Sequence, residues 1–128
     1  MKKQQLLFAP LAFVVMLLSN PLTVLAAEDE SPTPEMQNLI NSEEYQQAYD
    51  LGTANLEEWE GDPQFDYFFG LAALEIGNAN EAVFALERTA STSSNVRLRS
   101  RAQLDLARAY FVTNNLTASE NLFLLVLE

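Results

Sequence analysis

The chain has 128 residues, 18 of them acidic and 7 basic, a net charge of −11, and neither cysteine nor histidine. That length allows one small domain. The missing residue types exclude a disulfide framework, thiolate or histidine zinc sites and any Ser-His-Asp arrangement, and the acidic balance speaks against nucleic acid, phosphate or anionic lipid as partners.

Residues 1–26 read as a secretory signal. Lys2 and Lys3 form its positive start, and Leu6 to Leu18 is apolar except for Pro10. Val24 and Ala26 supply small residues ahead of a cut after Ala26, with Ala27 as the near alternative. The competing reading is an uncleaved anchor helix, but the apolar run falls short of the roughly 20 residues that a span needs. Loss of both lysines leaves five arginines against the 18 acidic residues, a net of −13. Such a surface suits a partner with a basic face, and plain solubility accounts for it equally well.

Residues 27–40 read as an acidic Pro/Ser/Thr linker with little to bury, with Met36–Ile40 as a short helical lead-in. A first full helix is expected over Glu43–Glu60, with Tyr45, Ala48, Tyr49, Leu51, Leu56 and Trp59 as its apolar stripe. Gly52 inside it is either a weak point or a place where a neighbouring helix comes close. Gly61–Asp62–Pro63 ends this helix and starts the next, over Pro63–Ile76. Gly77 and Asn78 make a turn, and further helices are expected over Asn80–Ser91, Val96–Phe111 and from Leu116 or Thr117 to Glu128. No strand alternation persists anywhere, so the fold class is all-α, in antiparallel pairs.

Small residues recur within these pairs. Gly70 and Ala82 are twelve apart, Ala107 and Ser119 are twelve apart, and Ala48 precedes Ala82 by 34. A recurrence near 34 residues is the period of stacked helix–turn–helix units. Small residues at a crossing let two helices approach, and large ones a turn away fill the space beside them.

The segment Asp66–Leu74, with Gly70 at the small position, Gly77–Asn78 at the turn, and Ala82 and Thr89 in the second helix, resembles a tetratricopeptide repeat. Leu106–Phe111 with Ala107 and Tyr110, then Asn114–Asn115, Ser119, Phe123 and Val126, resembles the following unit, 37 residues on. The motif's final Pro is replaced by Ser94, and the earlier unit keeps only Tyr45 and Ala48. The resemblance implies a short solenoid with a partial unit over 41–61 and full units over 63–95 and 96–128.

The runs Phe65–Leu74, Glu81–Arg88 and Leu106–Phe111 are also similar to the periplasmic repeat domain of Gram-negative surface lipoprotein assembly modifiers. That likeness spans about 85 residues. It implies a repeat domain preceding an outer-membrane β-barrel, an envelope lipoprotein as partner, and a periplasmic or outer-membrane location. These 128 residues hold no barrel. The final helix is apolar nearly all round from Leu122 to Leu127, where a solenoid needs a polar cap. Three readings stay open: a truncated product or the first part of a longer protein, leucines that complete a small core, or a homodimer through that end.

Candidate site residues are few. The carboxylates from Asp50 to Asp62 lie on one helix and its cap, which suits a solvated face better than a glycosidase pair. No calcium-loop motif occurs. Arg97, Arg101 and Arg108 fall along one helical face, either paired within the molecule or forming a patch for a carboxylate. Tyr67 and Phe84 are the aromatic candidates for an inner groove that grips an extended segment. No catalytic residue, metal or cofactor is expected. The reading is a non-catalytic scaffold exported across the inner membrane, with a truncated or free-standing adaptor as its rival.

Overall fold

The structure is a computed structural model that describes residues 30–128; the secretory signal expected over 1–26 lies outside the described residues. Six helices follow one another: α1 Thr33–Asn41, α2 Tyr45–Trp59, α3 Pro63–Glu75, α4 Ala79–Thr92, α5 Val96–Val112 and α6 Leu116–Leu127. The all-α expectation holds, and there is no strand among the described residues. Helices α2 to α6 begin and end within two residues of where periodicity and caps put them. Asp62 caps α3 by accepting from the Phe65 N–H at 2.9 Å, with Pro63 in the first turn, and Asn95 caps α5 by accepting from the Leu98 N–H at 3.2 Å.

The linker expected over 27–40 is corrected over 33–40, where α1 starts at Thr33 and belongs to the core; the expected lead-in over Met36–Ile40 lies inside it. Prolines in a first turn cost a helix nothing, because their missing N–H groups would have no partner there. The Ser31 hydroxyl accepts from the Thr33 N–H at 3.3 Å, and Met36 is fully buried. The composition of 27–35 hides this, because one methionine carries most of the anchoring.

Three turns share one backbone geometry. Glu43, Gly77 and Asn114 have φ of 60°, 92° and 63°. The next residue in each, Glu44, Asn78 and Asn115, donates its N–H at 2.8 Å to a carbonyl five residues back, on Leu39, Ala73 and Tyr110. The turn residue itself donates three residues back, to Ile40, Leu74 and Phe111, at 3.0–3.1 Å. This pairing satisfies the last carbonyls of α1, α3 and α5. The three turns stand 34 and 37 residues apart. The α2–α3 and α4–α5 joints differ: Gly61 has φ of 100°, whereas Ser93 is extended.

Each helix packs on its neighbours in sequence, and α1 also touches α3, as α3 touches α5. One core cluster gathers Met36, Phe65, Phe69 and Ala85; the other gathers Tyr67, Leu74, Ala82 and Leu86 with Ala102, Leu106 and Ala109 of α5. Gly52 explains the first. A Cβ there would stand 2.5 Å from Phe69 Cδ2, so the missing side chain is what admits the Phe69 ring. That ring lies between Tyr49 at 5.4 Å and Phe65 at 6.0 Å, stacked on both. Burying rings of this size stabilises by about 1.5–3 kcal/mol each. Gly70 does the same for α4, where a Cβ would meet Leu86 Cγ at 2.8 Å. At the third pair, Ser119 takes the small position and donates to the Ala107 carbonyl at 2.8 Å.

Candidate functional site

The aromatic and arginine candidates do not share one surface. Tyr67 is corrected from a groove residue to a core residue: it is 7% exposed, and its hydroxyl donates to Asp105 at 3.1 Å. The apolar ring is covered by α5, and the carboxylate satisfies its one polar atom. Burial, and then the neighbouring Asp105 charge, push its ionisation well above that of a free phenol.

Arg108 is tied within the molecule, to Glu75 at 2.7 Å and to Asp105 at 2.7 Å. The Glu75 hydrogen bond leads in raising its pKa. Arg97 and Arg101 are exposed and make no ion pair among the described residues. Of the three, only these two can meet an external carboxylate without first breaking an internal pair. Tyr110 donates to Glu87 on α4, and burial followed by that bond pushes its pKa up to about 12. Tyr49 donates to Glu81 at 2.5 Å, which raises its pKa too.

Arg88 is the arginine that sequence reasoning set aside, and it makes the deepest contact. Its Nε and Nη2 reach the two oxygens of fully buried Asp66 at 3.0 and 2.8 Å, and Nη1 reaches Glu60 at 3.0 Å. Asp66 also accepts from the Gly61 N–H at 3.1 Å. The Asp66 hydrogen bond is the main reason the Arg88 pKa is raised. Partners 22 residues apart on different helices leave no local signal.

Phe84 is 64% exposed, as a contact residue requires. It lines a shallow groove with Leu56, Phe69, Glu81 and Arg88, built from α2, α3 and α4. The arginine-bearing α5 contributes nothing to that groove.

Among the described residues the largest apolar exposure lies on α5 and α6. Phe111 is 65% exposed, Leu116 53%, Leu124 57% and Leu127 83%. Phe111, Leu116, Phe123 and Leu124 line an open apolar groove with Ser119 and Glu120. The expectation that the final leucines complete a small core is therefore corrected for Leu124, Leu125 and Leu127. Phe111 is exposed too, because no helix covers it among the described residues. The cue in the sequence was the run Leu122–Leu127, too apolar for a helix with one neighbour.

Compared with known proteins, the chain matches no family model, no curated protein and no solved structure.

Proposed function

We propose that the chain is a non-catalytic protein-interaction scaffold of the bacterial envelope, built as a short tetratricopeptide-like stack and serving as the repeat portion of a factor that assembles or exports surface lipoproteins. The observation that carries the interaction role is the apolar face of α5 and α6 on a chain of net charge −11. Contiguous apolar surface of this kind marks a place where another polypeptide sits. The three like turns at 34 and 37 residues support the stacked-unit reading, since each unit is a helical hairpin that needs a neighbour to bury its face. The export reading rests on Lys2, Lys3 and the apolar run before Ala26. The lipoprotein role rests on the likeness of Phe65–Leu74, Glu81–Arg88 and Leu106–Phe111 to the assembly-modifier repeats.

Immunoblotting of fractionated cells with an antibody to residues 41–90 tests this. A large outer-membrane band is expected if the repeats precede a barrel. A small soluble periplasmic band would replace the barrel-linked role with a free adaptor. Retention in the cytoplasm would overturn the envelope reading altogether.

A further inference from the structure

We infer that the α5–α6 face is the docking surface for one amphipathic helix of a partner protein, seated there as α5 is seated on α3 and α4. The inference rests on the stacked-unit reading and deepens it by naming the partner's chemistry.

The like turns at Gly77 and Asn114 set α3–α4 against α5–α6 with an offset of 37. Under that offset Tyr67, Leu74 and Ala79 correspond to Leu104, Phe111 and Leu116. The first three are 7%, 8% and 7% exposed, in one cluster with Ala102, Leu106 and Ala109 of α5. Their counterparts are 44%, 65% and 53% exposed. The same positions are thus covered by a helix in one unit and bare in the next.

The chemistry of the occupant follows from what differs. Where α5 meets α3 and α4 it makes three polar clasps, Asp105 with Tyr67, Arg108 with Glu75 and Tyr110 with Glu87. On the bare face Tyr67 is replaced by Leu104, Glu75 by Val112 and Glu87 by Leu124. A visiting helix therefore finds an apolar side chain where α5 finds a polar partner, and it must be apolar at all three places. Glu120 borders the groove, in a chain of net charge −11. Lysine or arginine on the flank of the visiting helix complements that charge. A second copy fits less well. Its α1 turns out Pro34, Glu35, Gln37 and Asn38, its α5 stripe is already covered, and α6 against α6 repeats the acidic Glu120 on both sides.

The test uses the chain expressed in full and a labelled synthetic peptide of residues 95–113 carrying Asp105→Leu, Arg108→Leu and Tyr110→Leu, followed by fluorescence anisotropy. Saturable binding is expected. Leu124→Glu and Phe111→Glu should each weaken it by about tenfold or more, as loss of a central apolar contact does. Phe84→Glu should leave it unchanged. Each altered side chain is mostly exposed, and circular dichroism checks that the helices persist. Absent binding, or binding indifferent to Leu124→Glu and Phe111→Glu, overturns the inference. Loss with Phe84→Glu alone moves the helix to the α2–α4 groove and also overturns it, while the scaffold reading stands. Sedimentation that finds a pair split by Leu124→Glu, with no peptide bound, makes a second copy the occupant and overturns it as well. Binding is read on purified protein, so the compartment of the chain in cells bears on the scaffold reading alone.

Discussion

Arg88 grips Asp66 with two hydrogen bonds, at 3.0 and 2.8 Å, from a side chain 31% exposed to one that is fully buried. The bond joins α3 to α4 and, through Glu60 and the Gly61 N–H, reaches back to the end of α2. Arg88→Met leaves a buried carboxylate with one remaining donor. The expected loss is about 2–3 kcal/mol by urea unfolding, below the usual cost of a broken buried pair because Arg88 itself meets solvent. Asp66→Asn in the same chain should recover part of it. A loss in the double variant equal to the sum of the two single losses would show that the pair is not coupled.

Gly52→Ala is expected to destabilise although alanine is the better helix former. The gain in propensity is about 1 kcal/mol at most, while overpacking against a ring fixed between Tyr49 and Phe65 costs about 1–3 kcal/mol. Met36 Cε, 2.9 Å from the added Cβ, is a flexible tip and can give way; the Phe69 ring has less room to do so. A raised melting temperature would refute the close approach.

Met36→Ala tests whether α1 is structural. A fully buried methionine cut to alanine should cost about 2–5 kcal/mol. A linker residue would cost close to nothing in the same urea titration.

Glu43→Gly should stabilise. Glu43 sits at φ of 60°, where a side chain beyond glycine costs about 1–2 kcal/mol, less the extra entropy glycine loses on folding. A gain of about 0.5–1 kcal/mol is expected. Asn114→Gly should gain less, since asparagine tolerates this region. Gly77→Ala, at φ of 92°, should lose stability in the same assay.

Alkaline pH should unfold the chain through its tyrosines. Tyr49, Tyr67 and Tyr110 all have folded pKa values raised above the free phenol. The unfolded chain therefore releases these protons first, and stability is complete below about pH 10. For Tyr110 it is lost as pH rises from there through about 12. Phenolate absorbance and circular dichroism, followed together, should show ionisation coupled to loss of helix. Ordinary titration of all four tyrosines with the helices intact would contradict this.

Most of the helical plan was legible in the residues. Caps such as Asp62–Pro63 and the Gly77–Asn78 turn are local signals that lie at helix ends, and the small residues Ala48, Gly70, Ala82, Ala107 and Ser119 are all buried. Gly52 was legible as a choice between two readings, and only the Phe69 ring decides it. What stayed hidden depends on partners far along the chain. Tyr67 looks like a surface aromatic until Asp105, 38 residues on, takes its hydroxyl. Arg88 and Asp66 are invisible as a pair for the same reason. Of α1 only Met36–Ile40 was legible, as a short lead-in; its start at Thr33 was hidden because Pro32 and Pro34 read as linker, although an N-cap and a first helical turn accept them.

The polar outer face of α1 and the apolar face of α6 make the first and last of the described helices unlike. Adhesion confined to one end sets a ceiling on assembly. Joined through α6, two copies would hide that patch from a third. Growth into filaments needs a second adhesive end, and the face that α1 presents does not supply one.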